Sequence, residues 1–208
     1  MPMTELKAGY NGKFVIGILA VVTIGLGMNA VAGQAVQSAG AADKTRQSEW
    51  VRFSPPDRSF VVEAPANLRR LAEPLNARSP SDLFGCAKSA DAYEVPLASE
   101  SNKHAFVIGV FNITGCECDQ NTFKEEVKLF LFSLGGDNKR IVSDVEANVD
   151  GFPSREIVYE NGDVNGRVLL IKGDKRIYLV MYTTDVFEKT SAPEILRIFK
   201  SFRPLKVS

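Results

Sequence analysis

The chain has 208 residues with 25 basic and 25 acidic side chains, so its formal net charge is zero. A neutral chain without a basic cluster lacks the field that attracts phosphate backbones, which argues against nucleic acid as a partner. The length predicts one folded domain with a sizeable core, accompanied by a tail or targeting segment.

Residues 1–32 have the composition of a signal peptide or of an N-terminal membrane anchor. Residues 14–32 carry no charge and follow a polar start that contains Lys7 and Lys13. The small residues Ala30-Val31-Ala32 are typical of a cleavage site, whereas the length of the apolar run suits a membrane-spanning helix. Both interpretations predict an extracytoplasmic protein that is periplasmic, secreted or tethered, and that meets the membrane only through this segment if it is uncleaved.

The rest of the chain divides into a predicted linker and a predicted domain. Residues 33–49 are rich in Ala, Gly, Gln and Ser and have no apolar period, which is typical of a flexible linker. We expect a single α+β domain over residues 50–208.

Apolar and β-branched segments between turn signals predict the strands of this domain. They are Trp50–Phe53, Ser59–Ala64, Tyr93–Leu97, Ala105–Asn112, Ile141–Val149, Arg155–Glu160, Arg167–Lys172 and Lys175–Thr183. Residues 67–82 and the segment Asn161–Gly166, which holds two Asn-Gly pairs, are predicted loops.

Two segments have the spacing of amphipathic helices. Thr122 with Glu125 and Ser191 with Glu194 predict capping boxes at the two helix starts. The apolar stripes are Phe123, Val127, Phe130, Leu131 and Leu134 in the first helix and Ile195, Ile198, Phe199 and Phe202 in the second.

The last two predicted strands hardly alternate between apolar and polar residues, so they require cover on both faces. The two predicted helices are the available covers. We therefore expect a largely antiparallel sheet between helical layers, an α/β/α sandwich.

Several short motifs carry a resemblance to a known family. They are Trp50–Phe53, Phe60–Pro65, Gly151–Glu156, Arg176–Leu179 and Phe199–Arg203. In this order they resemble the PsbP-like family and bacterial lipoprotein-like domains of unknown function, over residues 50–204. The resemblance implies an α/β/α sandwich and an exported or membrane-associated accessory role, and it brings no catalytic residues.

Cys116 and Cys118 are the sharpest candidates for chemistry. Two thiols this close could exchange disulfides or bind a soft metal. The three cysteines and His104 have unusual spacing for a four-ligand zinc site, so no metal site is predicted. In an exported protein, a structural disulfide between Cys86 and either Cys116 or Cys118 is favoured.

Arg155 and Glu156 follow the turn-forming Gly151-Phe152-Pro153 and are a candidate ligand or turn site. His104 is the single histidine, and no partner pattern surrounds it, so we predict an exposed side chain without a chemical role and no catalytic residues. The sequence predicts a non-catalytic accessory domain that needs no cofactor and binds an envelope protein or a small ligand. The alternative is a thiol-dependent redox or metal-binding protein that uses Cys116 and Cys118.

Overall fold

The computed structural model describes residues 50–72, 79–97, 104–113, 120–133, 139–162 and 164–206. The strands in these ranges are β1 (Val51–Phe53), β2 (Phe60–Ala64), β3 (Arg69–Arg70), β4 (Ala87–Glu94), β5 (Ala105–Ile113), β6 (Lys139–Val149), β7 (Phe152–Asn161), β8 (Val164–Lys172), β9 (Arg176–Thr184) and β10 (Arg203–Pro204). The helices are α1 (Pro80–Leu83), α2 (Gln120–Ser133) and α3 (Pro193–Ser201), with a 3-10 helix at Phe187–Ser191. The predicted signal or anchor and the predicted linker, residues 1–49, lie outside these ranges. Within them, no helix is long and apolar enough to cross a membrane.

The strands form two antiparallel sheets. The larger has seven strands in the order β3-β4-β5-β9-β8-β7-β6, and the smaller has three in the order β1-β2-β10. The β6 to β9 part is a meander of consecutive hairpins, whereas the β5–β9 pair joins strands that are distant in the chain. The sheet centre at β9 is almost entirely buried, as its apolar sequence predicts.

One face of the large sheet, here called the α3 face, packs against α3 and the small sheet. Phe60 of β2 stacks on Phe202 with a centroid distance of 5.1 Å, and Phe106 of β5 packs on Phe199 at 5.4 Å. The Tyr178 hydroxyl donates a hydrogen bond to the backbone carbonyl of Ser59 (3.1 Å), the residue directly before β2. The predicted stripe of the second helix is confirmed, because Ile195, Ile198, Phe199 and Phe202 are all buried.

The opposite face, here called the α2 face, packs against α2 and the segment after α1. Phe84 contacts Phe111 of β5 at 4.6 Å between ring centroids and stacks on Phe130 of α2 at 5.7 Å. Phe123 and Val127 are also buried, so the apolar stripe is confirmed as far as the structure describes it. Leu134 lies outside the described residues.

The predicted α/β/α sandwich is wrong, because the described residues form a β-rich fold in which a seven-stranded antiparallel sheet is not flanked by a helical layer on each face. The nine-residue α3 shares its face with the three-stranded sheet, which contributes the buried Phe60 and Val62. Both faces of β8 and β9 are covered, as predicted, but apolar strands can provide such cover as well as helices can. Two-residue β10, directly after α3, completes that small sheet by pairing with β2.

Several predicted boundaries are also corrected. Helix α2 begins at Gln120, so Thr122 and Glu125 lie inside it, and Glu125 pairs with Lys128 (2.7 Å). The N-cap of α3 is Ala192 without a side-chain cap, and Ser191 instead accepts a hydrogen bond from Arg167. The first capping box is wrong because the helix starts before Thr122, and the second is wrong because Ser191 bonds to Arg167 and lies before the N-cap. Only Tyr93 and Glu94 of the strand predicted at Tyr93–Leu97 belong to a strand, because β4 runs from Ala87 to Glu94.

The predicted loop Asn161–Gly166 is a tight β7–β8 connection, and Gly166 is part of β8. Gly166 lies opposite Tyr159 in the register. A Cβ on Gly166 would come within 2.4 Å of the Tyr159 ring, which is itself buried. The glycine therefore makes room for an aromatic ring on the neighbouring strand and does not mark a turn.

Gly166→Ala should lower the free energy of unfolding by about 1 to 3 kcal/mol, because the added methyl group overpacks the Tyr159 ring. Urea denaturation measures the change. In a Tyr159→Val background, where the ring is absent, the same substitution should cost much less. An equal cost in both backgrounds would contradict the steric explanation.

Phe199→Ala should lower the free energy of unfolding by about 3 to 5 kcal/mol, since the ring is buried against Phe106. Lys200→Ala, at the exposed neighbouring position, is the control and should change stability by less than about 0.5 kcal/mol. A near-zero effect of Phe199→Ala would remove α3 from the core.

Candidate protein-interaction surface

Strand β6 is the last strand of the large sheet and pairs only with β7 among the described residues. It has 11 residues, and none of them is buried. The main-chain N–H and C=O groups on the outer side of such a strand can pair with another polypeptide. We call this outer side the β6 edge.

Exposed apolar side chains concentrate on this strand. The described residues include five exposed large hydrophobic side chains, and three of them are on β6: Ile141 (38% exposed), Val142 (43%) and Val145 (54%). The other two, Val186 and Leu205, belong to other parts of the fold. By their register with β7, Ile141 lies on the α2 face and Val145 on the α3 face, so this edge strand exposes apolar side chains on both sides of the sheet. Exposed apolar groups that share one edge strand are typical of a surface that binds another polypeptide.

A β-bulge at Val142 divides β6. Ile141 lies opposite Tyr159 and Ser143 lies opposite Val158, so Val142 has no partner in the register. The pairing is regular from Ser143 to Val149. In that part Val145 and Ala147 belong to the α3 face, and Asp144 and Glu146 belong to the α2 face.

Ion pairs attach β6 to the sheet on the α2 face. The Arg155 guanidinium donates to both carboxylate oxygens of Asp144, at 2.5 and 2.7 Å. This hydrogen-bonded carboxylate raises the pKa of Arg155 above its ordinary value, and both side chains are three-quarters buried. Such a bidentate pair holds the middle of β6 against β7.

Glu156 lies on the other face of β7 and pairs with Nη1 of Arg167. Arg167 also donates to the carbonyl oxygen of Thr190 (2.8 Å) and to the Ser191 hydroxyl (3.0 Å), which joins β8 to the 3-10 helix. Arg155 and Glu156 therefore lie within a strand, on opposite faces, and each has a charged partner. A ligand-binding role for them stays a prediction.

The β6–β7 turn is held by polar contacts of its own. Asp150 and Gly151 both have positive φ (53° and 90°), the geometry of a tight hairpin that glycine accepts readily. Asn148 Oδ1 accepts a hydrogen bond from the Gly151 N–H (2.7 Å), and Asp150 pairs with Arg203 of β10 (3.2 Å). The end of β6 is thus tied to the small sheet.

Of the three cysteines behind the predicted thiol chemistry, the structure describes Cys86. Cys86 is buried in the α2-face core, and it directly precedes β4 in the chain. Cys116 and Cys118 lie outside the described residues, so their disulfide, redox or metal-binding role stays a prediction. Among the residues that are described, no group of three His, Cys, Asp or Glu side chains could hold a metal ion.

His104 is more enclosed than the sequence predicts. Its Nδ1 lies 2.8 Å from the Tyr182 hydroxyl, and its Nε2 lies 3.3 Å from Nζ of Lys189 on the 3-10 helix. Burial, and then the charge of Lys189, lower the pKa of His104 below its ordinary value, while Asp185 opposes them. The sequence gives no sign of this contact because β5, β9 and the 3-10 helix meet only in the folded chain.

No protein-family model matches the chain, and no match is found among curated proteins. Solved structures do resemble it. Cyanobacterial PsbP from Synechocystis sp. PCC 6803 aligns with a TM-score of 0.50 and 10% identity, over 80% of this chain and 98% of that protein. At this identity the likeness is one of fold, and it confirms the PsbP-like architecture in its β-rich form.

Two further structures are similar at lower scores. A Pseudomonas aeruginosa protein of unknown function has a TM-score of 0.46 and 12% identity, over 76% of this chain and 99% of its own. The Ran-binding protein Mog1p of Saccharomyces cerevisiae has a TM-score of 0.46 and 6% identity, over 76% of this chain and 96% of its own. Neither likeness bears on function.

The chain should lose stability on acidification below about pH 6.5, the ordinary pKa of histidine. Folding depresses the pKa of His104, so the unfolded chain takes up a proton more readily than the folded one. The stabilisation is complete above pH 6.5 and is lost as the pH falls towards the folded-state pKa. Because the sequence has one histidine, NMR titration of its imidazole in an untagged chain measures that pKa directly.

Lys189→Met should raise the pKa of His104, since it removes the nearby positive charge. Lys200→Met removes an equal charge from α3 and should leave the titration unchanged. A His104 pKa at or above 6.5 in the unmodified chain would contradict the observed contacts.

Proposed function

We propose that this chain is a non-catalytic, extracytoplasmic domain with a PsbP-like fold that binds a protein partner through the β6 edge. The observation that carries the proposal is an edge strand of 11 residues, none of them buried, that bears most of the exposed large apolar side chains of the described chain. Extracytoplasmic location is supported by the sequence of residues 1–32.

The charged side chains around β6 support a protein-binding surface over one that only faces water. Asp144, Asp150 and Arg140 each have a partner of opposite charge in the fold, with Arg140 held by Glu160 at 2.6 Å. Because these charges are already paired, binding a partner would gain free energy mainly by burying the exposed apolar side chains of β6.

A protein partner fits this surface better than a small ligand does. The β6 edge is an extended strand without a buried residue, whereas small ligands favour concave pockets of roughly 300 to 1,000 Å³. A cleft of about 270 Å³ among the described residues lies at the opposite edge of the sheet, by β3 and β4. It is open, and the ion pair of Arg70 with Asp91 forms part of its lining.

Site-specific photo-crosslinking in cells that produce the full chain tests the proposal. A photoreactive residue at position 145 should crosslink one protein, identified by mass spectrometry. Val142→Lys in the same chain should reduce that product at least about fivefold, because it places a charge in the apolar surface. The same probe at position 186, an equally apolar exposed valine outside β6, is the matched control.

Crosslinking of the same protein from position 186, or none from position 145, would overturn the proposal. Circular dichroism of each variant shows that it remains folded. Since β6 is exposed, the substitutions should not disturb the core.

A further inference from the structure

We infer that the partner adds an extended strand to β6 between Ser143 and Val149, with apolar residues on the α3 face and basic residues on the α2 face. This inference rests on the proposed function and specifies the chemistry of the segment that the β6 edge recognises.

The bulge determines where a strand can be added. A bulged residue interrupts the ladder and twists the strand locally, so a partner cannot keep one register across Val142. From Ser143 to Val149 the pairing with β7 is unbroken, which leaves a regular row of outward main-chain groups. Only another extended main chain can pair with such a row along its length.

The side chains on either face specify what the added strand should carry. A residue that enters beside Val145 and Ala147 on the α3 face meets apolar groups, so it should be apolar. A residue that enters beside Asp144 and Glu146 on the α2 face meets carboxylates. Strand alternation then requires apolar and basic residues in turn.

Glu146 is the carboxylate with most to gain from a new cation. Its side chain is 67% exposed, and its neighbour Lys124 of α2 is 3.6 Å away and itself about half exposed. Asp144, in contrast, is already held by two hydrogen bonds from Arg155. A lysine or arginine on the added strand therefore improves the neutralisation of Glu146 in particular.

The same carboxylates argue against a second copy of this chain as the partner. Two antiparallel copies centred on Asp144 or on Glu146 would place that carboxylate opposite itself. Copies centred on Val145 would place Asp144 opposite Glu146, and copies centred on Ser143 would pair across the bulge. Copies centred on Ala147 or on Asn148 would bring Asp144 or Glu146 opposite Asp150 at the turn. Like charges directly opposite one another destabilise a strand pair, so the partner is a different sequence.

A designed peptide tests the inference on the full chain in mild detergent. The probe is an extended peptide of about eight residues in which Val or Thr alternates with Lys. Three controls separate the contributions: a peptide with Glu in place of Lys, a scrambled peptide of the same composition, and the probe N-methylated at alternate residues. Titration calorimetry measures affinity, and NMR amide exchange shows which strand is protected.

We expect the alternating Val/Lys probe to bind and to protect amides of Ser143 to Val149. The N-methylated, scrambled and Glu-containing peptides should bind at least about tenfold more weakly, because each loses the ladder, the alternation or the charge complement. Glu146→Gln should weaken the probe about two- to fivefold. Glu125→Gln is the matched control, since Glu125 is equally exposed and also pairs with a lysine.

Equal binding of the N-methylated probe, equal binding of the Glu-containing peptide, or protection of a different strand would overturn the inference. Concentration-dependent dimers of the full chain that Val145→Lys abolishes would also overturn it. If crosslinking from position 145 succeeds while these peptide results fail, the β6 edge binds protein by another mode and the proposed function stands. If that crosslinking fails, the proposed function fails whatever the peptides do.

Discussion

The fold depends on one constraint, which is that β8 and β9 are apolar on both faces. A strand of this kind cannot be stable at a solvent-exposed surface, so each side of the sheet centre requires a cover. Among the described residues, the cover on the α2 face is α2 together with Leu83 and Phe84 at the end of α1. On the α3 face it is a short helix beside a second, smaller sheet, joined through the Phe60 and Phe202 rings. How far these covers extend over the sheet determines which strands are buried and which are exposed.

The β6 edge is the part of the sheet that the covers do not protect. Strand β7 still contributes Ile157 and Tyr159 to the α2-face core, but its outer neighbour β6 contributes no buried residue. What holds β6 in place is its ladder with β7 and the ion pairs of Asp144 and Asp150. The candidate interaction surface is therefore attached by polar contacts and by Val149, which packs on the α3-face core, so that Ile141, Val142 and Val145 stay exposed.

The sequence predicts those parts of the fold that are determined by neighbours along the chain. Hairpins with short turns and the apolar helix faces at Phe123 and Phe199 are of this kind, because periodicity reports directly which side is buried. The prediction of two helical layers was wrong, because apolar strands show that both sheet faces are buried but not which elements cover them. Gly166 was misinterpreted for a related reason, since its partner Tyr159 is on another strand and glycine between polar residues is also typical of a turn.

The candidate site was harder to predict than the fold. The alternation of Ile141 to Val149 predicts a half-exposed strand, but exposure on both faces depends on the strand order, which no local pattern gives. The bulge at Val142 likewise exists only in relation to β7. Arg155 and Glu156 stood out in the sequence, and their partners Asp144 and Arg167 became identifiable only once the register was known.

The pairing of β10 with β2 also determines the order in which the domain can be completed. This pairing brings Arg203 beside Val61, so it closes a loop that includes almost every other strand. Contacts between such distant residues form late, because the chain entropy of closing the loop must be overcome first. As the chain emerges from its N-terminus, the α3 face stays open until the last helix and strand have followed. The α3-face core is therefore complete only once α3 and β10 have joined β2.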